Sequence, residues 1–337
     1  MSHPNIVTQI SLGYKAHAPG ASLHSQYPHV CLFFSHVVVI SIPAAFPNTL
    51  LPKMHQHSGS HGPHLAQLVN QLVSQIAPYS GLILTIAACI LAAIRIYLLD
   101  LVIIPKLYSP RVLKNLTDAQ RRSFVNHHVA AGSKILLVMV TAYPLLAILV
   151  GYGTPHTPFS PGSSTTLGDV LIVSSQIFTV MYIFELFYRD NISPISFAHH
   201  VGAIIIAQSA IAMSIDFDHQ SDAVYEFILC FIWGAFDVLA ELWPHIAMII
   251  YRTHNSKHVL LSRLFYTTMT LELVETTVET VVVMWLFGSL WDKWSLSLKI
   301  VTPFLHFLFS AAQLWGAWIF YKLAKDQRLR HAQGAKN

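Results

Sequence analysis

Three glutamates recur at helical spacing inside one apolar stretch. Glu272, Glu275 and Glu279 share a stripe with Thr268 and Thr276 at 3.6 residues per turn. An earlier stretch repeats the device: Glu226, Trp233, Asp237 and Glu241 fall on one face, and His245 follows one turn on. Pro244 removes a backbone donor beside these acids and predicts a kink there. Glu185 and Arg189 stand four apart, the spacing of an ion pair along a helix, on the same side as Tyr182. His199 and His200 open another apolar run, with Gln208 two turns below, and Arg95 and Asp100 interrupt a further one. Ionisable groups in such places line substrate or ion pathways, or pair with each other inside a helical bundle.

Each group also has a plainer reading. Glu185 and Arg189 suit a structural pair at a membrane boundary, Arg95 and Asp100 can snorkel to the surface or pair with other helices, and paired imidazoles sit comfortably at an interface. The two acidic stripes resist it. An acid at mid-membrane costs roughly 2.5–3.5 kcal/mol, so Glu272, Glu275 and Glu279 together cost about 7–10 kcal/mol if ionised and central. The eleven Leu, Val and Phe residues from Leu264 to Phe287 return only about 5 kcal/mol. Such a helix needs neighbours over its polar face, or protons or water on it. Two acidic faces on adjacent helices repel unless protons, water or a cation intervene, so they predict an enclosed polar cavity.

The elements that must position these residues are legible in the composition. The chain has 337 residues, 54% hydrophobic and 11% charged, whereas soluble domains carry about a quarter charged residues. That balance excludes an ordinary cytosolic fold, and the modest net charge of +4 gives no reason to expect nucleic acid as a partner. Apolar blocks of hydrocarbon-spanning length predict an all-α, polytopic membrane helical bundle of seven spans. These run at about 81–104, 134–151, 169–188, 197–214, 224–251, 264–288 and 300–322.

Loop charges orient the bundle. Lys106, Arg111, Lys114, Arg121 and Arg122 follow the first span, residues 152–168 contain no Lys or Arg, and Arg189 follows the third. An acidic loop (Asp216, Asp218, Asp222) comes next, and then Arg252, Lys257 and Arg263. Asp292, Lys293 and Lys299 follow the sixth span, and the tail is basic. Positive loops stay in the cytosol, which predicts a cytosolic C-terminus. On this topology the sequons at Asn115 and Asn191 face the cytosol and carry no glycan.

Residues 1–78 read as a largely irregular extension, 79–325 as the transmembrane domain and 326–337 as a basic tail. Within the extension, residues 29–46 form an apolar run able to make an eighth membrane segment. His55, His57, His61 and His64 lie close together but without regular ligand spacing, and no metal site is expected there. Cys31, Cys89 and Cys230 sit in apolar runs and read as small apolar groups. No cofactor is expected.

The stretch from Tyr182 to Gly202, YIFELFYRDNISPISFAHHVG, followed later by WGAFDVLAELWPHIA, resembles the TLC-domain family of multi-spanning membrane proteins, which includes ceramide synthases and lipid-homeostasis relatives. The likeness covers about residues 115–325 and is best between 169 and 252. His199 and His200 match the family's histidine pair, and Asp237 and Glu241 match the second Asp and the Glu of its HDxxDxxLExxK segment. Trp233, Gly234, Ala240 and Pro244 stand where that segment has His, Asp, Leu and Lys, so the ceramide synthase motif is incomplete.

The resemblance implies an endoplasmic-reticulum bundle around a lipid chamber, acting in lipid sensing, transport or homeostasis with membrane lipids as partners. It also implies an alternative, N-acyl transfer from acyl-CoA to a sphingoid base. In that case His200, or its neighbour His199, would act as general base or accept the acyl group, and Asp237 would orient the imidazole or hold the amine. Glu185, Arg189, Trp233, Glu241, His245, Glu272, Glu275 and Glu279 would line the lipid cavity. A proton- or cation-coupled transporter is the remaining reading of buried glutamates, although the chain shows no internal repeat of the kind many transporters carry.

Overall fold

The computed structural model describes residues 73–189, 192–215 and 223–334. The run at 29–46, the histidines from His55 to His64, Cys31, the acidic loop of Asp216, Asp218 and Asp222, and the sequon at Asn191 lie outside the described residues.

Seven long helices stand among the described residues: α1 (Ala77–Leu107), α2 (Asp118–Leu149), α3 (Leu167–Tyr188), α4 (Pro194–Ile215), α5 (Ala223–Thr253), α6 (His258–Ser289) and α7 (Leu296–Gly334). Among those residues there is no strand, only an isolated antiparallel bridge between Pro158 and Thr166. Six of the helices, all but α6, are long and apolar enough to cross a bilayer. The chain is an all-α, polytopic integral membrane protein. The seventh expected span, 264–288, is helical, but Glu272, Glu275 and Glu279 keep α6 out of the apolar set.

Local chemistry sets the helix starts. Thr117 accepts a hydrogen bond from the Gln120 backbone while the Gln120 side chain accepts one from the Thr117 backbone. This reciprocal cap satisfies two otherwise orphaned amides. It starts α2 at Asp118, well before the expected position 134, because the helix's first turns are too polar to read as membrane. Thr166 and Asp169 form the same box at the start of α3. Prolines 144, 244 and 303 lie inside α2, α5 and α7. In α1, Ile94–Ile103 winds as a π-helix that carries Arg95 and Asp100. The Arg95 guanidinium lies 3.8 Å over the Tyr188 ring, and Asp100 pairs with Arg121 at 2.9 Å.

Packing sorts the helices into inner and outer. α5 packs against α2, α4 and α6, and α3 packs against α1, α2 and α4, while α7 lies along α6. In the most apolar windows of α3 and α5, 61% of residues are buried, against 6% in α1 and 17% in α7. The outer pair therefore presents side chains such as Leu82, Ile86, Phe307 and Trp318 to acyl chains, while α3 and α5 hold the interior. Leu171, Ile172, Phe227, Ile232, Val283 and Trp294 belong to one apolar core.

Candidate functional site

Four helices bring their polar side chains to one buried centre. α3 supplies Tyr182 and Glu185, α4 supplies His199 and His200, α5 supplies Asp237, Glu241 and His245, and α2 supplies Lys134 and His127. The i,i+4 spacing that put Asp237, Glu241 and His245 on one stripe points all three into this centre, because α5 is an inner helix.

The contacts interlock. His199 Nε2 lies 3.2 Å from Asp237 Oδ1 and 3.3 Å from Glu241 Oε1. The Tyr182 hydroxyl donates to Asp237 Oδ2 and lies 3.0 Å from Glu241 Oε2. Lys134 Nζ donates to Glu241 Oε2 at 2.9 Å, with no exposed surface on its side chain. Glu185 Oε2 accepts from Arg189 at 3.1 Å and lies 3.5 Å from His200 Nε2, and Glu185 Oε1 lies 3.2 Å from His245 Nε2. Behind His245, the Nδ1 atoms of His127 and His245 share a hydrogen bond of 3.0 Å. The Tyr182 ring stacks on His200 at 4.5 Å.

Burying ions is tolerated only when they are paired. The carboxylates of Glu185, Asp237 and Glu241 face two fixed cations, Lys134 and Arg189. One negative charge remains for the imidazoles or a bound cation to balance. Both ring nitrogens of His199 and His200, Glu185 Oε1 and Asp237 Oδ1 are buried without a protein hydrogen-bond partner. The imidazole and carboxylate atoms therefore face each other as ion pairs at 3.2–3.5 Å without ideal hydrogen-bond geometry, and His199 Nδ1 is left over.

Two cavities adjoin it. An apolar groove of about 240 Å³ lies among α2, α3, α4 and α5, walled by side chains such as Leu137, Leu145, Phe227 and Val238. A smaller cavity of about 40 Å³ has Trp233, Asp237, Phe309 and Gln313 in its wall. Phe178, Ala207, Cys230 and Gly234 line both. Hydrocarbon in the groove would therefore run through this junction to Asp237.

Of the two expected catalytic histidines, His199 is the one against Asp237, while His200 turns to Glu185. Glu185, Arg189, Glu241 and His245 join the centre, and Trp233 lines the small cavity between the rings of His306 and Phe309. The α6 glutamates make their contacts apart from the histidine pair. Glu279 accepts from Gln313 at 2.8 Å and lies 4.0 Å from His306, and Glu275 accepts from Trp243 at 3.2 Å. Glu272 is buried against Gly316. Glu272 and Glu279 thus meet α7, Glu275 meets Trp243 of α5, and Gln313, which donates to Glu279, shares the wall of the small cavity with Asp237.

Lys134 and His127 were not among the expected residues. Lys134 read as the edge of a span, and His127 lay in a segment too polar to count as membrane. The only advance signal is the Thr117–Gln120 cap, which carries the helix through both.

The chain matches no protein-family model, no curated protein and no solved structure.

Proposed function

We propose that the chain is a TLC-like membrane protein of the endoplasmic reticulum, with its C-terminus in the cytosol, that joins an acyl group to a lipid amine. The observation that carries this reading is the His199–Asp237 pair, 3.2 Å apart, with Asp237 in the wall of a small cavity that shares four lining residues with an apolar groove. With Nε2 turned to the carboxylate, His199 offers Nδ1, which is buried and without a protein partner, as the base. An imidazole titrates near neutrality, and a neighbouring carboxylate fixes its tautomer and steadies the imidazolium.

The amine nitrogen attacks the carbonyl carbon of an acyl thioester, and Nδ1 takes the amine proton. The carbon–sulfur bond then breaks, and the thiol leaves with the proton returned by the imidazolium. Tyr182 holds Asp237 from the other side, and Lys134 neutralises Glu241, so neither acid competes for that proton.

Purified protein incubated with a long-chain acyl-CoA and a sphingoid base is expected to form the N-acyl product, and His199→Ala and Asp237→Asn to lose it. Equal product from His199→Ala would refute the mechanism. The groove also supports a second reading, lipid sensing or transport without chemistry. In that case lipid co-purifies with wild type and His199→Ala alike and no product appears. Deleting the gene would still shift sphingolipid or glycerophospholipid levels.

A further inference from the structure

Glu185, Glu241 and His245 each offer one ligand atom, and these three atoms lie within 4.8 Å of one another. Donors sharing an ion at about 2.0–2.2 Å lie no more than about 4.4 Å apart, so a small inward shift of these side chains would close on one ion. We propose that Glu185, Glu241 and His245 form a site for one divalent transition-metal ion beside the His199–Asp237 pair, with the His200 ring next to it.

The arrangement around each ligand is that of a metal centre held from outside. Arg189 grips Glu185 at Oε2, leaving Oε1 buried and without a hydrogen-bond partner. Lys134 grips Glu241 at Oε2, leaving Oε1 3.3 Å from His199 Nε2 and 4.0 Å from His200 Nδ1. His127 grips His245 at Nδ1, leaving Nε2 facing Glu185. Outer partners of this kind fix ligand orientation, and an imidazole that donates from one nitrogen presents a lone pair at the other. Glu185 Oε1 and His245 Nε2 face each other at 3.2 Å, a separation that an ion between them would bridge.

His200 adds an independent observation. It is 2% exposed, and both of its ring nitrogens lack a protein hydrogen-bond partner. Nε2 lies 3.5 Å from Glu185 Oε2 and Nδ1 lies 4.0 Å from Glu241 Oε1, so the ring sits between the two carboxylates. A buried ring of this kind, aimed between two acids, needs a partner. A divalent ion also supplies the positive charge that Glu185, Asp237 and Glu241 lack against Lys134 and Arg189. An imidazole with two carboxylates suits Zn(II), Mn(II) or Fe(II) rather than Mg(II) or Ca(II), which prefer oxygen alone.

The test uses the full chain in detergent, purified without a histidine tag. His55, His57, His61 and His64 are replaced by Ser so that they cannot contribute. The protein is stripped with chelator, incubated with Zn(II) or Mn(II), desalted, and its metal content measured by mass spectrometry alongside its thermal unfolding. About one ion per chain is expected, with a rise in Tm on metal addition. Glu185→Gln and His245→Asn, which nearly keep side-chain shape, should lose retention of the ion and abolish the rise, while Lys134→Met, which removes an outer partner, should weaken retention by roughly 10–100-fold. His306→Ala, whose ring contacts Thr280 on the α6–α7 seam, should retain the ion in full.

A wild-type chain that holds no ion and gains no Tm overturns the proposal without recourse to any variant. Equal retention by Glu185→Gln and His245→Asn overturns it as well. Metal content is read with no lipid substrate present, so a chain that binds the ion yet makes no N-acyl product refutes acyl transfer and leaves the metal site standing.

Discussion

Lys134 of α2 and Glu241 of α5 meet at 2.9 Å, 107 residues apart in sequence, with the ammonium wholly buried. The lysine is what lets an acid sit beside two imidazoles and an aspartate inside an apolar bundle. Removing one partner of such a pair leaves the other charge buried and uncompensated. Lys134→Met is expected to destabilise the protein by about 3–5 kcal/mol. Adding Glu241→Gln to Lys134→Met should recover a large part of that loss. Thermal unfolding of the single and double variants in detergent measures both, and a double variant no more stable than Lys134→Met would show that the pair is not what holds α2 to α5.

Tyr182 bridges α3 to the acids of α5 through one hydroxyl. Its removal leaves Asp237 Oδ2 short of a donor while the ring still stacks on His200. Tyr182→Phe should therefore cost about 1–3 kcal/mol without loosening the packing. Unfolding gives the cost. In the N-acylation assay, kcat should fall further than KM rises, because the aspartate that orients His199 has lost its second anchor.

Two glycines make a matched pair. A Cβ on Gly168, at the start of α3, would come 1.8 Å from the Val73 carbonyl oxygen, whereas one on Gly132 of α2 would meet nothing within 4 Å. Gly168→Ala is expected to lower Tm by displacing the segment at Val73 from α3. Gly132→Ala should instead stabilise by roughly 0.5–1 kcal/mol, since alanine loses less backbone entropy in a helix. Parallel melting curves decide it, and equal shifts would contradict the close approach at Gly168.

Gly234 lies in the wall shared by the groove and the cavity at Asp237. A Cβ there would meet Phe178 Cζ at an ordinary 3.8 Å, so Gly234→Ala should be tolerated. Gly234→Leu places a larger side chain across the junction and should reduce capture of a long-chain photo-crosslinking lipid several-fold, while His199 and Asp237 keep their contact. Unchanged labelling by Gly234→Leu would mean that lipid reaches the polar centre by another route.

Much of this protein is a consequence of its sequence alone. Apolar blocks of bilayer length leave an α-helical bundle as the way to satisfy the backbone in hydrocarbon. The period of 3.6 puts Asp237, Glu241 and His245 on one face, and the i,i+4 step pairs Glu185 with Arg189 as the structure has them. Periodicity says which residues share a stripe, but not which stripe faces which.

That second question was settled by packing. His199 rather than His200 meets Asp237 because α4 lies between α3 and α5 in one particular rotation. Glu279 turns to Gln313 of α7 while Glu275 turns to Trp243 of α5, and His127 reaches His245 across 118 residues. Lys134 becomes an interior cation because a two-residue cap far upstream carries α2 past it. Each of these outcomes follows from the same cost: a charge taken from water needs a partner, and the nearest partner is set by how helices distant in sequence lie together.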